Sequence, residues 1–275
     1  GTKGTFAANG NHEMYSRGYG YFDTLLPALG QNASYLALVS PHWRIIVLDT
    51  GYNSFDESEK TPRHDNRNNV QPDEVIAWLN STLRLSDPQD KRGIMLLSHH
   101  QWISAFASGY PTTPRQISDL IPAGRKIVWL WGHEHRLAFY GLAQNVSGIP
   151  LSVYGRCVGN SGYPTEHSSH GVPHNAGPSG LLAFDNRVYK VEKIIPFLHS
   201  EIGYSGFTRI SLDGPSMTLD YLTMELLNHT DTESSFVPDA TTSLLATETF
   251  VVNANGDADQ VALNFTEDLM TVVKS

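Results

Sequence analysis

Four short apolar runs, separated by polar segments, stand out in the first 160 residues. Each has four or five residues and is rich in β-branched or bulky apolar side chains, as expected for buried strands. The runs occupy residues 45–48, 94–97, 127–131 and 151–154. Residues 72–85 begin with Pro72, which suits the start of a helix, and continue with apolar side chains at helical spacing, so a helix is predicted there. A second short helix is predicted at 114–121. Strands alternating with helices favour an α/β fold.

The pattern changes after residue 180. Residues 181–195 and 206–224 alternate like antiparallel hairpin strands, and the second pair turns at residues 213–215. Residues 159–180 are dense in Gly, Pro, Ser and His, which predicts a long surface loop. Residues 229–247 are rich in Thr, Ser and Asp and are predicted to form a linker. Residues 248–275 are predicted to form a C-terminal tail segment with a strand and a short helix.

The composition and charge of the chain argue against some classes of partner. The chain of 275 residues has 40% hydrophobic and 17% charged residues, enough for one large domain or two modest ones. Its net charge of -9 argues against nucleic acid as a stable partner, because no basic patch is available to neutralise phosphates. No apolar run approaches the roughly 20 residues that span a bilayer, so we expect no membrane partner.

Cysteine and asparagine usage add two smaller expectations. Cys157 is the single cysteine, so an internal disulfide is excluded, and its position after a predicted strand indicates a buried, inert thiol. Five Asn-x-Ser/Thr sequons weakly favour a secreted or extracytoplasmic protein. They begin at Asn32, Asn80, Asn145, Asn228 and Asn264.

Three histidine motifs each follow an apolar run: the first follows Phe6–Ala8, and the other two follow the runs at 94–97 and 127–131. They are Gly-Asn-His-Glu at 10–13, Ser-His-His at 98–100 and Gly-His-Glu-His at 132–135. Loops that leave the carboxyl ends of parallel strands meet at one edge of a sheet, so we expect these histidines to converge. Imidazole nitrogens and an amide oxygen suit zinc, manganese or iron. Two such ions roughly 3.5–4 Å apart clamp the attacking and leaving oxygens of a phosphoryl transfer and lower the pKa of bound water.

The ordered set of these motifs over most of residues 1–225 resembles the calcineurin-like metallophosphoesterases. The resemblance implies a four-layer α-β-β-α sandwich and hydrolysis of phosphate mono- or diesters by a dinuclear centre. It further implies that Asn11, His99 and His133 bind one metal and that His135 binds the other. His12 would be the acid that protonates the leaving group, with Glu13 holding its imidazole.

The family normally has two earlier motifs, Asp-x-His and Gly-Asp-x-x-Asp, which supply the remaining ligands. Neither occurs here, and only nine residues precede Gly10. We therefore expect a metallophosphoesterase domain over residues 1–228 that lacks its first strands, which would lie upstream. Asp49 and Asp65 are possible substitute ligands, but each is better interpreted as a solvated loop carboxylate. We expect two divalent ions (Mn, Fe or Zn) in the complete enzyme and at most one in this chain alone.

Some assignments stay open at this stage. The alternative to an enzyme is a catalytically impaired fragment or relative with a partial metal site that acts as a binding module. His100 points at substrate or packs behind the site, and Arg156 pairs with a phosphate or with a carboxylate of the fold. Other candidates for substrate contact, for which a loop or core position is the alternative, are His167, His170, His174, Tyr52, Trp102 and Tyr110.

Overall fold

Two stacked β-sheets carry the fold. The computed structural model describes residues 4–54, 69–161, 173, 180–190, 201–226 and 240–272. The predicted positions Asp65, His167, His170 and His174 lie outside these ranges, as does most of the predicted loop at 159–180. None of the helices in the described ranges is long and apolar enough to cross a membrane.

The large sheet has eight strands and a parallel centre. In spatial order its strands are β1 (Leu36–Val39), β2 (Trp43–Val47), β3 (Gly93–Ser98), β4 (Lys126–Trp131), β6 (Ser152–Val158), β5 (Leu137–Gln144), β7 (Leu181–Phe184) and β14 (Met270–Thr271). Strands β2, β3, β4 and β6 run parallel, and the outer neighbours are antiparallel. These four parallel strands are the four predicted from the apolar runs.

The helices are short. They are α1 (Asn11–Met14), a π-helical segment (Gly20–Leu25) that continues as α2 (Leu26–Leu29), α3 (Asp73–Ala77) with a π-helical continuation (Trp78–Thr82), and α4 (Thr112–Ser118). The predicted helices at 72–85 and 114–121 correspond to α3 with its continuation and to α4. Their inward residues Val75, Leu79 and Ile117 are buried, which explains the helical spacing of apolar positions.

The smaller sheet is antiparallel throughout, as predicted for the region after residue 180. It comprises β10 (Gly206–Asp213), β11 (Ser216–Leu226), β12 (Ala240–Val252) and β13 (Ala258–Phe265). The β10–β11 hairpin turns where predicted, with Gly214 in the left-handed backbone region (φ +54°). A separate two-stranded ribbon pairs β8 (Val188–Lys190) with β9 (Glu201–Gly203).

Three predictions for this half are wrong. Strands β7 and β8 do not form a hairpin with each other, because β7 pairs with β5 and β14 while β8 pairs with β9. Residues 240–247 of the predicted linker belong to β12, whose Leu245 and Ala246 are buried; residues 229–239 lie outside the described ranges. Within the described part of 248–275 there are strands and turns and no helix.

Two hydrophobic cores define the layers. One fills the space between the sheets, where Trp43, Met95 and Phe139 of the large sheet meet Tyr221 and Phe250 of the small one. The other lies on the opposite face of the large sheet, beneath α3 and α4. The α/β fold class with two stacked sheets is therefore confirmed. Phe207 and Leu244, on the outer face of the small sheet, are 47% and 43% exposed, so the described residues place no helical layer there.

A buried ion pair also joins the sheets. Arg156 on β6 donates through Nε and Nη2 to the carboxylate of Glu248 on β12, at 2.9 and 2.7 Å, and both side chains are fully buried. The Tyr221 hydroxyl donates to the same carboxylate. Of the two predicted partners for Arg156, the structure therefore shows the carboxylate of the fold.

Candidate metal centre

The carboxyl ends of β2, β3 and β4 build the floor of the site. Leu97 of β3 aligns with both Val47 and Leu130, so the segments that follow these strands emerge side by side. The Gly132 N–H donates to the His99 carbonyl at 3.0 Å, which locks two histidine motifs together. The first motif packs against the loop after β2 so closely that a Cβ at Gly51 would lie 2.7 Å from the Gly10 carbonyl oxygen.

Three predicted donor atoms converge at this edge. Asn11 Oδ1 lies 2.7 Å from His99 Nε2, and His99 Nε2 lies 3.1 Å from His133 Nδ1. Because zinc forms bonds of about 2.0–2.2 Å to nitrogen and oxygen ligands, atoms this close can contact one cation. An amide oxygen with two imidazoles also suits manganese or iron. The residues present therefore fit a divalent ion.

His100 adds a third imidazole beside these donors. A ring nitrogen from each of His99, His100 and His133 lies within 4.8 Å of the others, and this is the one such group in the described part of the chain. Thr50 Oγ1 accepts the N–H groups of His99 and His100 at 3.2 and 3.0 Å. Its own proton is thereby directed to His100 Nδ1, 3.2 Å away. His100 is 3% exposed, and its ring makes a tilted contact with that of His133, as expected for a residue packed behind the site.

Burial keeps these histidines neutral. Burial, followed by the charges of His133, His12 and His135, lowers the pKa of His99 to about 3. Burial and the charges of His99 and His133 hold the pKa of His100 well below its ordinary value. Since only the neutral imidazole binds a metal, both rings are in the form that binding requires at neutral pH.

The other predicted site residues surround this group. His12 is exposed, and its ring lies beside that of Tyr15, with centroids 4.7 Å apart. Glu13 accepts the Gly10 N–H at 2.9 Å, which closes the first turn of α1. His135 is half-buried, close enough to His99 for its charge to affect the His99 pKa. The roles given to His12, Glu13 and His135 stay predictions.

The interpretation of Asp49 as a solvated carboxylate is wrong. Asp49 is 1% exposed, and Oδ1 accepts the amide of Asn9 at 3.1 Å and the backbone N–H of Tyr52 at 2.8 Å. Burial raises its pKa, and hydrogen bonds from Ser34, Tyr52, Asn9 and Gly51 oppose that shift. Asp49 thus fastens the first motif to the loop after β2.

Supporting residues around the motif at 132–135 follow no sequence pattern. The Tyr110 hydroxyl lies 3.2 Å from His133 Nε2, and the Ser104 hydroxyl donates to buried Glu134. Cys157 is fully buried, as predicted, and its thiol lies 3.3 Å from the Glu134 carbonyl. Trp102, a candidate for substrate contact, belongs to the core beneath the helices.

The family comparison agrees with this geometry. A family model described as calcineurin-like phosphoesterase matches residues 2–137. Residues 2–137 of the chain belong to the calcineurin-like phosphoesterase family. The matched part of the chain contains all three histidine motifs; the second and third follow β3 and β4, whereas residues 4–10, which precede the first, form no strand. Membership suggests metal-dependent phosphoester hydrolysis, and the family typically binds divalent metals. No curated protein matches the chain significantly.

Proposed function

We propose that this calcineurin-like phosphoesterase hydrolyses phosphate mono- or diesters with divalent ions bound at its histidine motifs. The observation that carries the proposal is the convergence of Asn11 Oδ1, His99 Nε2 and His133 Nδ1 at the carboxyl ends of β3 and β4. This convergence lies within the part of the chain that matches the family.

The side chains of the site have separate roles in this proposed hydrolysis. Bound divalent ions supply Lewis-acid polarisation of the phosphoryl oxygen and activation of water. Asn11, His99 and His133 would hold one ion, and His135 would contribute to a second where further ligands complete that site. Exposed His12 donates a proton to the leaving oxygen, which removes the cost of expelling an alkoxide. Glu13 fixes the backbone turn that presents His12, through its hydrogen bond to Gly10.

A binding module with a partial metal site is the second candidate. The observation that favours it is that the histidine group in the described residues contains no carboxylate. A dinuclear centre needs a ligand that bridges two ions, and carboxylates commonly fill that position. We therefore propose that residues 1–275 alone hold one divalent ion per chain.

Metal titration and ester hydrolysis test the proposal together. Calorimetry with zinc or manganese should give one site in the unmodified chain, and p-nitrophenyl phosphate and its bis ester should be cleaved in a metal-dependent manner. His133→Ala should lose binding and hydrolysis, whereas His42→Ala, an exposed histidine outside the site, should keep both. Binding without hydrolysis would favour the binding module. No binding would contradict both candidates, and two tight sites would indicate a further ligand such as Asp49.

We also propose a secreted or extracytoplasmic location. The four sequon asparagines within the described residues, Asn32, Asn80, Asn145 and Asn264, are all exposed, as a glycan acceptor must be. Expression through a eukaryotic secretory pathway should give a product whose mass falls after enzymatic removal of N-glycans. An unchanged mass would contradict this proposal.

A further inference from the structure

We propose that Tyr110 is a positioning residue that places the ring proton of His133 on Nε2 and so leaves Nδ1 as the metal donor. The proposal rests on the metal site described above. It concerns which of the two His133 nitrogens faces the ion, a choice that the sequence motif alone does not make. Hydrogen-bond contacts run from Tyr15 through Asn11, His99 and His133 to Tyr110.

A hydrogen bond fixes the orientation of the Asn11 amide. Asn11 Nδ2 donates to the Tyr15 hydroxyl at 2.7 Å, so Asn11 Oδ1 is the atom that faces His99. An amide oxygen only accepts hydrogen bonds. The 2.7 Å contact therefore requires a proton on His99 Nε2 when no metal is bound.

The contact between His99 and His133 bears on the position of the His133 ring proton. His99 Nε2 also lies 3.1 Å from His133 Nδ1. The single proton on His99 Nε2 serves both contacts as a three-centre hydrogen bond, with the shorter branch to Asn11 Oδ1 and the longer, weaker branch to His133 Nδ1. This weaker branch favours His133 Nδ1 as an acceptor, and the contact of Tyr110 with the opposite nitrogen strengthens that preference. A neutral imidazole holds one ring proton, so that of His133 resides on Nε2. The Tyr110 oxygen, 3.2 Å from this Nε2, accepts a hydrogen bond from the Nε2–H group.

Tyr110 is held independently of its hydroxyl. Its backbone N–H donates to the Gln101 carbonyl at 2.9 Å, and its ring packs against His100 with centroids 4.8 Å apart. The tilted contact between the rings of His100 and His133, with centroids 4.4 Å apart, restrains the His133 ring. Ring packing does not distinguish the two nitrogens of an imidazole, whereas a hydrogen bond to one of them does. Removing the hydroxyl therefore tests the tautomer while the packing stays in place.

Tyr110→Phe in the 275-residue chain is the test, with Tyr19→Phe as the matched control because Tyr19 is 62% exposed. Nitrogen-15 NMR of the metal-free proteins reports the His133 tautomer directly. We expect the Nε2–H form in the unmodified chain and in the control, and a mixture of both forms in Tyr110→Phe. Zinc affinity, measured by competition with a chelator, should fall about 10–100-fold in Tyr110→Phe alone, as is typical for loss of a group that orients a metal ligand.

The outcomes separate this inference from the proposed function. An Nε2–H tautomer in Tyr110→Phe, or unchanged zinc affinity, would overturn the role of Tyr110. A fall in affinity without a change of tautomer would also overturn it, since the hydroxyl would then act through packing. Failure of the unmodified chain to bind zinc would contradict the proposed function, while the NMR comparison would still decide the tautomer.

Discussion

Asn11 and His12 are adjacent in α1 and face different surroundings. Asn11 is 4% exposed and contacts His99, whereas His12 is exposed beside it. Burial suits a metal ligand, and exposure suits a group that exchanges protons with substrate. We expect His12→Ala to lower the rate of ester hydrolysis by about 10²–10⁴ with little change in metal affinity. Steady-state kinetics at saturating metal, with calorimetric titration, would measure both quantities.

Asn11→Ala serves as the comparison for His12→Ala. Its main effect should be weaker metal binding, so that added metal restores part of the rate. Equal loss of metal in the two variants would show that the roles of Asn11 and His12 are wrongly divided.

The histidines of the second and third motifs were predictable because those motifs follow apolar runs that form parallel strands, and the ends of such strands meet at one edge of the sheet. The first motif follows residues 4–10, which form no strand, and it lies at the same edge because Gly10 packs against Gly51. Thr50 was not predicted, and Tyr110 was only a candidate for substrate contact, because they reach His100 and His133 only through folding, across 50 and 23 positions of the chain. Asp49 was misjudged for the same reason. Its burial depends on Asn9, 40 positions earlier, and no local pattern encodes that contact.

At the scale of elements, Asp90 anchors the segment before β3 to β2. It lies 3.1 Å from Nη1 of Arg44, whose side chain is 1% exposed, and it also pairs with Arg92. Hydrogen bonds from the Arg92 side chain and backbone and the charge of Arg44, outweighing partial burial, lower the pKa of Asp90 to about 2. The carboxylate therefore stabilises the fold above its unfolded pKa of about 3.9, and this contribution is lost as the pH falls toward 2.

Asp90→Asn should lower the free energy of unfolding at pH 7 by about 1–3 kcal/mol, because the Arg44 guanidinium stays buried without its anion. The difference from the unmodified chain should shrink between pH 4 and pH 2. Urea denaturation across that range measures it. Asp87→Asn removes a pair with a largely exposed Arg84 and should cost less. Equal costs for the two variants, or a difference independent of pH, would contradict the assignment.

The Arg156–Glu248 pair ties β6 to β12 and with it the two sheets. Glu248→Ala should cost about 3–5 kcal/mol, because a buried guanidinium is left without its partner. Arg156→Met with Glu248→Leu and Tyr221→Phe removes both charges and the Tyr221 hydroxyl, and should recover most of that loss. It leaves the half-buried Gln260 amide, which donates to Glu248 at 2.8 Å, without that acceptor. Chemical denaturation of both variants measures the difference. If the triple variant is no more stable than Glu248→Ala, lost packing rather than an unpaired charge explains the cost.

The elements were predictable where one local period dominates, as in the parallel strands and the β10–β11 hairpin. Strand β12 was missed because Thr and Ser in residues 240–247 suggest a loop by composition. Thr is also a good strand former, and Leu245 and Ala246 supply the buried face. The pairing partners of β7 and β8 could not be predicted from the sequence, since pairing between distant strands depends on contacts that no short stretch of sequence contains.

At the scale of the whole molecule, a bound ion would link segments that the chain keeps far apart. Asn11 and His99 are 88 positions apart, and His133 follows 34 positions later. The donors come together only in the folded state, so a divalent ion that binds them stabilises the fold. The free energy of unfolding should rise by about 2.7 kcal/mol when free metal is at 100 times its dissociation constant.

Thermal unfolding should therefore shift to higher temperature with zinc or manganese and return to its starting value with excess chelator. His133→Ala should abolish the shift, and His42→Ala should retain it. An equal shift in His133→Ala would mean that the ion stabilises the protein from another site, and the convergence of the three donors would then no longer support the proposed activity.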